Sequence, residues 1–245
     1  MLIIPAIDLQ QGRCVRLCKG QFDQVSVYDL SPITLAHGYA LQGAKRLHIV
    51  DLDGARSGTI QQLSLIQAMQ GQEFILQVGG GIRSVATAKA CLEAGIEKLV
   101  LGSLAITNPS VTEEIIELAK AENIILALDI RMENKSPKLA IHGWQTTTEQ
   151  TLWDVVHTYE KQGINQILCT DIAQDGMMAG PNFALYEEAL ERFPTIQWQA
   201  SGGIRDVIDL EKLSSLGLSG AILGRMLYES DFDLSSYFAR KKDGR

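Results

Sequence analysis

Short apolar runs alternate with longer amphipathic stretches along the whole chain. The short runs are nearly continuous in apolarity and rich in β-branched residues, which is typical of strands buried on both faces. Eight such strands are predicted, over residues 2–7, 46–50, 74–78, 98–101, 124–128, 165–169, 196–200 and 219–223. Helical spacing of apolar residues predicts helices over 32–43, 84–94, 110–121, 150–162 and 206–216. Strands that alternate with helices indicate an α/β fold with a parallel sheet.

Residue types at the ends of these segments support the predicted boundaries. Pro109 suits the first turn of the helix that follows it, because its fixed φ is helical and N–H groups there have no helical partner. Asp206 is a common N-cap residue, and Gly95 is of the type that often ends a helix. Residues 131–145 are expected to form a longer loop after a strand, with Asn134 to Pro137 as its turn. Loops in such places often carry function.

The second half of the chain repeats motifs of the first half. Residues 78–83 (VGGGIR) return 122 positions later as residues 200–205 (ASGGIR). Residues 101–104 (LGSL) return at the same offset as residues 223–226 (LGRM). Internal repeats of this kind constrain the fold, since each copy is expected to form the same structural unit.

Two pairs of aspartates belong to the same repeat. Asp8 corresponds to Asp129 at an offset of 121, and Asp51 corresponds to Asp171 at an offset of 120. Four pairs of motifs in one order, at nearly one offset, indicate a duplicated half. Together with the eight strands, the repeat predicts a (β/α)8 TIM barrel with an internal half-barrel repeat.

The alternative to a barrel is an open, doubly wound α/β sheet. It fits less well, because a repeated half closes naturally into a barrel, whereas an open sheet would have unequal edges. No linker rich in Pro or Ser separates the halves. Residues 1–245 are therefore predicted to form a single domain, with half-barrels at about 1–122 and 123–245.

Composition narrows the function classes without choosing one. The net charge of −7 argues against general nucleic-acid binding, which needs a basic surface. No apolar run approaches the roughly 20 residues of a membrane span, and no signal peptide is recognised. The cysteines show no CxxC pair, so free thiols in a cytoplasmic protein are expected, and the isolated C-x3-C pair of Cys14 and Cys18 does not suggest a metal site.

Asp8 and Asp129 are the strongest candidates for catalysis. Each ends an apolar strand, where (β/α)8 enzymes place their catalytic groups. Half a repeat separates them, so a closed barrel would place them opposite each other at its mouth. A pair of carboxyl groups can act as general acid and general base if their surroundings separate their pKa values. Helix capping or pairing with an arginine is the structural alternative for either residue.

Paired glycine turns at matching strand ends predict two phosphate sites. Glycine lets the backbone approach an anion and turn its N–H groups toward it. Tight turns alone would explain any one of these glycines, but matched pairs in both halves favour phosphate binding. The candidate residues are Gly80, Gly81, Gly102 and Ser103 in the first half, and Gly202, Gly203, Gly224 and Arg225 in the second.

Several single residues give weaker indications. Thr170 ends the sixth strand and could bind a substrate oxygen or orient Asp129. Arg16 and Arg83 could clamp a phosphate or form surface ion pairs of little energetic value. Trp144 in the 131–145 loop could stack on a heteroaromatic ring or simply pack. His48 is expected to be a hydrogen-bonded core residue, and no strand-end lysine suggests Schiff-base chemistry.

The motifs taken together resemble a known family. They follow one another through nearly the whole chain, and the set is specific, although glycine motifs alone occur in many phosphate-binding barrels. The segments are 4–9 (IPAIDL), 12–17 (GRCVRL), 50–55 (VDLDGA), 79–83 (GGGIR), 102–103 (GS), 170–172 (TDI), 175–176 (DG) and 201–204 (SGGI). On these residues the chain resembles the ProFAR isomerase family of histidine biosynthesis.

The resemblance implies a reaction and roles for particular residues. The substrate would be an aminoaldose with two phosphates, converted to an aminoketose by an Amadori rearrangement without metal or organic cofactor. Asp129 matches the family's general acid, Asp8 the general base, and Thr170 the hydroxyl that supports the acid. Arg16 and Trp144 match substrate-contacting positions, and Asp175 matches a position in the loop after the sixth strand.

Three alternatives remain open at this point. The cyclase subunit of imidazole glycerol phosphate synthase has a similar barrel, but it typically begins with a Cys-Leu-Asp run where this chain has Ala6-Ile7-Asp8. An isomerase that also accepts phosphoribosyl anthranilate would share the motifs. A catalytically silent phosphometabolite-binding protein would not need both Asp8 and Asp129. A monomer is the expected oligomeric state.

Two positions depart from the family pattern. Met177 stands where a threonine is common, and residues 21–23 (QFD) replace a run that usually contains Asn or Asp followed by Tyr-Asp. Both lie in loops, so they affect expected loop contacts more than the expected chemistry.

Overall fold

Eight parallel strands close into a barrel in the computed structural model of this chain. The structure describes residues 1–18, 21–71 and 74–242, with side chains for the same residues except 17, 18, 21–24, 241 and 242. The strands are β1 (Leu2–Gln10), β2 (Arg13–Cys18), β3 (Gln21–Tyr28), β4 (Arg46–Asp51), β5 (Ile75–Gly79), β6 (Lys98–Leu101), β7 (Ile124–Glu133), β8 (Ser136–Ile141), β9 (Thr146–Thr151), β10 (Gln166–Asp171), β11 (Gln197–Ser201) and β12 (Gly220–Leu223).

The barrel follows the order β1-β4-β5-β6-β7-β10-β11-β12, and β12 pairs with β1 to close it. Every neighbouring pair in this ring is parallel. All eight predicted strands are present at nearly the predicted positions. The prediction of a (β/α)8 TIM barrel is therefore confirmed, whereas the single-domain boundaries stay a prediction.

Helices connect the barrel strands and cover the outside. They are α1 (Pro32–Leu41), α2 (Leu52–Ser57), α3 (Leu63–Ala68), α4 (Val85–Glu93), α5 (Leu104–Thr107), α6 (Pro109–Ala119), α7 (Leu152–Glu160), α8 (Phe183–Arg192), α9 (Val207–Leu216), α10 (Arg225–Glu229) and α11 (Leu234–Lys242). Pro109 opens α6, and the Asp206 side chain caps α9 by accepting from the Asp209 N–H at 3.0 Å. In the described part of the chain, no helix has the length and apolarity needed to cross a membrane.

Two antiparallel hairpins, which the sequence analysis did not predict, rise above the barrel mouth. Strands β2 and β3 extend from β1, because Asp8 pairs with Val15 in an antiparallel register. Strand β7 continues beyond the barrel and pairs with β8, which pairs with β9. The expected loop over 131–145 is thus largely a hairpin, with its turn at Asn134 and Lys135 and with Pro137 inside β8.

Apolar side chains fill the barrel interior and the layer between strands and helices. The interior cluster contains Ile4, Ala6, Val100, Ile125, Leu168 and Ile222. A polar pair joins the two half-barrels, since Gln77 Nε2 donates to Oε1 of its repeat counterpart Gln199 at 3.0 Å. His48 Nδ1 lies 3.0 Å from Gln77 Nε2, and burial lowers the pKa of His48 to about 4, with a smaller effect from Arg16. His48 is therefore the hydrogen-bonded core residue that the sequence predicts.

Equivalent aspartates organise the loops that follow β4 and β10. The Asp51 carboxylate accepts from the backbone N–H of Gly54 at 2.8 Å, and also from that of Gln61 at 2.6 Å. The Asp171 carboxylate accepts from Ala173 N at 3.0 Å and from Asn182 Nδ2 at 2.7 Å. Because both carboxylates are buried and hydrogen-bonded, Asp51 and Asp171 fix the loops that border the barrel mouth.

The glycine turns pack directly against these loops. Gly80 has a φ of +94°, and a Cβ there would lie 2.1 Å from the Asp51 carbonyl oxygen. Gly203 has a φ of +82°, and its Cβ would lie 2.5 Å from the Gly180 carbonyl oxygen. Backbone packing thus requires glycine at both positions, whatever ligand binds nearby.

We predict that Gly80→Ala destabilises the protein far more than Gly217→Ala. Gly217 also has a positive φ of +101°, but a Cβ there would meet no atom within 4 Å. Gly217→Ala should therefore cost about 1–2 kcal/mol for the left-handed backbone alone, whereas overlap with Asp51 should bring Gly80→Ala above about 3 kcal/mol. Urea unfolding measures the free energy of unfolding of both variants. An equal loss in the two would contradict the predicted overlap with Asp51.

Candidate active site

Asp8 and Asp129 lie at the mouth of the barrel on opposite sides. Asp8 continues the inward face that Ile4 and Ala6 form on β1, since side chains alternate along a strand. Three barrel strands separate β1 from β7 in either direction around the ring. Asp129 is the register partner of Thr170 on β10. The structure thus brings the predicted Asp8, Asp129 and Thr170 to one end of the barrel.

Asp8 is part of a largely buried cluster with Arg16 and Asp175. Arg16 Nη1 lies 3.4 Å from Asp8 Oδ2, and Arg16 Nη2 donates to Asp175 Oδ1 at 2.9 Å. The side chains are only 14%, 21% and 13% exposed for Asp8, Arg16 and Asp175. The β2–β3 hairpin therefore supplies the cation, and the loop after β10 supplies the second carboxylate.

Asp129 has neutral hydrogen-bond donors around it. Trp144 Nε1 donates to Asp129 Oδ2 at 2.8 Å, and Thr170 donates a further side-chain hydrogen bond. Trp144 has a left-handed backbone with a φ of +70°, and Arg131 Nη2 holds its carbonyl oxygen at 3.3 Å. The turn between β8 and β9 thus directs the indole into the barrel mouth.

These surroundings distinguish the two carboxyl groups. Burial raises the pKa of Asp8; the Arg16 charge acts against burial, and the Asp175 charge adds to it. Burial also raises the pKa of Asp129, against hydrogen bonds from Trp144 and Thr170. Burial acts to lower the pKa of Arg16, but the charges of Asp8 and Asp175 outweigh burial, so the pKa of Arg16 is raised. Only Asp8 has a cation in contact among the described residues, so its charged form is the better supported of the two.

A small pocket opens next to Asp8, beside its neighbours Arg16 and Asp175, where β11 and β12 end. This is the usual place of the phosphate site in (β/α)8 enzymes. Gly224 lies close to the Asp8 cluster, since a Cβ there would be 3.0 Å from Arg16 Nη1. The lining includes the predicted residues Arg16, Asp175, Gly202, Gly203, Gly224 and Arg225, together with Ser201.

The glycines and the serine at the corresponding strand ends of the first half are packed differently from those that line this pocket. A Cβ at Gly81 would lie 2.8 Å from the Gly54 backbone, so this position also excludes a larger side chain. Gly102 is open, because its nearest neighbour is the Ala127 carbonyl oxygen at 3.7 Å. Ser103 Oγ accepts from the His142 backbone N–H at 3.2 Å. Phosphate binding by Gly80, Gly81, Gly102 and Ser103 stays a prediction.

Arg83 is exposed and lies outside this cluster. Its Nη2 donates to the Ala55 carbonyl oxygen, and its guanidinium packs near Gly58. Its repeat counterpart Arg205 packs in the same way near Gly180 and forms an ion pair with Asp209 at 2.8 Å. The two arginines therefore brace equivalent loops, and the phosphate contact of Arg83 stays a prediction.

The sequence analysis missed the structural roles of Asp51 and Asp171, although their offset of 120 placed both in the repeat. Met177 is half-exposed near the pocket, whereas the side chains of 21–23 lie outside the described residues. Cys14, Cys91 and Cys169 are buried free thiols, and Cys18 lies outside the described side chains. No group of three or more His, Cys, Asp or Glu residues with metal-site geometry occurs in the described part.

A family model described as a histidine biosynthesis protein matches residues 2–233. The chain belongs to this family. The family resemblance that the motifs indicated is thereby confirmed, whereas the roles of individual residues remain predictions.

Several proteins that are similar to this chain share one enzyme name. Proteins called 1-(5-phosphoribosyl)-5-((5-phosphoribosylamino)methylideneamino) imidazole-4-carboxamide isomerase, or ProFAR isomerase, resemble the chain over nearly its full length. The one from Legionella pneumophila (strain Lens) is 60% identical over 231 residues, covering 94% of this chain and 97% of the relative. That of Francisella philomiragia is 43% identical, covering 96% and 98%, and that of Enterobacter sp. (strain 638) is 39% identical, covering 96% of each.

We predict that Trp144→Phe raises the pKa of Asp129 further. The indole N–H stabilises the charged carboxylate, and phenylalanine keeps an aromatic ring but has no donor. Carbon-detected NMR titration of the Asp129 carboxyl group measures the change. Trp153→Phe is the control, because Trp153 contacts Phe193 and Arg192 instead. An unchanged Asp129 pKa in Trp144→Phe would contradict the assigned hydrogen bond.

Proposed function

We propose that this chain is an aldose–ketose isomerase of histidine biosynthesis, which converts ProFAR to its aminoketose isomer by aspartate acid/base catalysis. The observation that carries the proposal is the pair of buried carboxyl groups, Asp8 and Asp129, that face each other from the two half-barrels. Their unequal partners suit one acid and one base. The isomerase names of the relatives support the reaction type and favour it over the cyclase alternative.

A small molecule with a phosphate at each end fits the repeated glycine turns. The pocket beside Asp8 offers backbone N–H groups near Gly202, Gly203 and Gly224, with Arg16 as a cation. Backbone amides and a guanidinium are good phosphate ligands. We propose that the second phosphate binds at Gly102 and Ser103, the repeat counterparts of Gly224 and Arg225.

In the first step, Asp129 acts as the general acid. Burial keeps this carboxyl group protonated to higher pH than usual. It donates its proton to the furanose ring oxygen as the bond from that oxygen to C1 breaks, and the substrate nitrogen forms a double bond to C1. Thr170 and Trp144 then stabilise the new carboxylate, because both donate hydrogen bonds to it.

In the second step, Asp8 acts as the general base. Arg16 favours its carboxylate form, and burial makes that carboxylate a stronger base than in water. Asp8 removes the proton from C2, and the electron pair forms the C1–C2 double bond of an enolamine. The enolamine loses its hydroxyl proton at C2 and gains a proton at C1, which gives the ketone. No atom is gained or lost overall, and no cofactor takes part.

The proposal also covers the location and the partners of the enzyme. We propose that the enzyme works in the cytoplasm on a diffusible metabolite and needs neither nucleic acid nor membrane. A monomeric state stays a prediction, as does activity on phosphoribosyl anthranilate, which turnover of that compound would reveal.

We expect Asp8→Asn and Asp129→Asn each to lower kcat on ProFAR by at least about 1,000-fold, while Kd changes by less than about tenfold, because both groups act on the transition state. Steady-state assays and calorimetric titration measure the two quantities beside the wild type. Asp231→Asn, at an exposed position, is the matched control. Near-normal turnover by either active-site variant would contradict its role, and an inactive wild type would contradict the proposed function.

The acid limb of the kcat/KM profile should move to higher pH in Arg16→Met and to lower pH in Asp175→Asn. Arg16 lowers the pKa of Asp8 and Asp175 raises it, so removing each charge shifts the base in opposite directions. A pH series from 5 to 9 with each variant reports the limb. Shifts in the same direction would show that another group, and not Asp8, is the base.

A further inference from the structure

Side chains from three segments form a closed ring around the pocket beside Asp8, which we call the mouth ring. Arg16 on β2 donates to Asp175 at 2.9 Å, and the next residue, Gly176, accepts from Arg225 Nη1 through its carbonyl oxygen. Arg225 Nε donates to Glu229 Oε2 at 2.5 Å. The ring then returns to the hairpin that carries Arg16.

Tyr28 makes the returning contact. Its hydroxyl donates to Glu229 Oε1 at 3.1 Å, and its ring stacks on Tyr228 with centroids 4.4 Å apart. Burial raises the pKa of Tyr28, with a further contribution from Glu229, so the phenol keeps the proton that it donates. On the hairpin, Tyr28 pairs with Cys14, two residues before Arg16.

The ring holds the Arg16-bearing hairpin at its base. In the described residues, strand β2 pairs with β1 at Asp8, Leu9 and Gln10, and Arg16 lies beyond these pairs. The side chain of Tyr28 provides a second attachment, from the partner strand of the hairpin to α10. Among the described residues, the side-chain hydrogen bonds of Arg16 are those to Asp8 and Asp175.

Stability alone does not account for this arrangement. The side chains of Arg225 and Glu229 are 41% and 35% exposed, and exposed ion pairs contribute little to stability. A similar pair on α8, Arg192 with Glu188, is 51% and 39% exposed and 2.7 Å apart, but is not part of any such ring. Glu229 differs from Glu188 because it accepts hydrogen bonds from two sides. Tyr28 belongs to the hairpin that carries Arg16, and Arg225 holds the loop that carries Asp175.

We propose that Tyr28 and Glu229 are positioning residues, which hold the Arg16 guanidinium between Asp8 and Asp175 from outside the reacting centre. The proposal deepens the function assigned above and rests on it for its kinetic part. Neither residue lines the pocket beside Asp8 or contacts Asp8, so each would act through Arg16.

The charges around Asp8 give the direction of the expected effect. Arg16 faces Asp8 from the hairpin and Asp175 from the loop after β10, while the ionisable Cys14 on β2 and Tyr228 on α10 lie near enough to sense the Asp8 charge. Loss of the Tyr28–Glu229 hydrogen bond removes one attachment of the hairpin to α10, whereas Arg225 still holds the loop through Gly176. Asp8 then loses part of its cation but keeps the neighbouring carboxylate, so its pKa rises.

The first test is a carbon-detected NMR titration of the Asp8 carboxyl group, which needs no substrate. Tyr28→Phe removes the hydroxyl but keeps the stack on Tyr228, and Glu229→Ala removes the shared acceptor. We expect both to raise the pKa of Asp8 by about one pH unit. Glu188→Ala is the matched control and should leave it unchanged while altering the melting temperature as much as Glu229→Ala does. A merely structural role would change only the melting temperature.

The second test measures turnover of ProFAR across pH. In Tyr28→Phe, kcat/KM should fall about tenfold below the acid limb and less than about twofold above it, as a limb displaced by one pH unit requires. An unchanged Asp8 pKa in both variants, or an equal shift in Glu188→Ala, would overturn the positioning role whether or not the enzyme turns over ProFAR. An inactive wild type with shifted Asp8 titrations would instead overturn the proposed function and leave the positioning role standing.

Discussion

The burial of two carboxyl groups at one end of a closed barrel is the constraint on which the rest of this site depends. Burial raises the pKa of both Asp8 and Asp129. A carboxyl group whose pKa is raised on folding binds protons more tightly in the folded state, so its contribution to stability falls as pH rises above its ordinary value of 3.8 through the folded pKa. At neutral pH the fold therefore carries these aspartates at a cost in stability, which is typical of groups retained for chemistry.

Unequal partners convert this symmetric pair into two different groups. The half-barrel repeat places an aspartate at corresponding positions, but only Asp8 receives a cation, from a hairpin that follows β1. The corresponding insertion after β7 is also a hairpin, and it supplies the indole of Trp144 to Asp129. The repeat thus builds the shared scaffold, and the two unlike hairpins differentiate acid from base.

Much of the scaffold could be predicted from the sequence because strong local signals specify it. The eight apolar runs reflect burial of the barrel strands on both faces, and the offset near 122 reflects the duplicated half; the barrel followed from these two signals. The hairpins were missed for a physical reason: β9 is a threonine-rich, largely exposed strand, and β2 lies at the mouth, so neither has the continuous apolarity that marked the barrel strands. The bracing role of Arg83 could not be predicted from the sequence, because an arginine after a glycine turn is equally consistent with a phosphate ligand. Only the structure shows that Arg83 donates to the Ala55 carbonyl oxygen.

Isotope tracing in the reaction itself is the most direct test of proton transfer between the substrate and the two aspartates. ProFAR is converted by the wild-type chain in deuterium oxide with a chelator present, and the aminoketose is examined by NMR for deuterium at C1. We expect the same turnover in deuterium oxide with and without the chelator, and deuterium at C1, because the enolamine gains its C1 proton from groups that exchange with solvent. Turnover that the chelator abolishes, with a product free of deuterium at C1, would contradict it and point to a metal-assisted hydride shift.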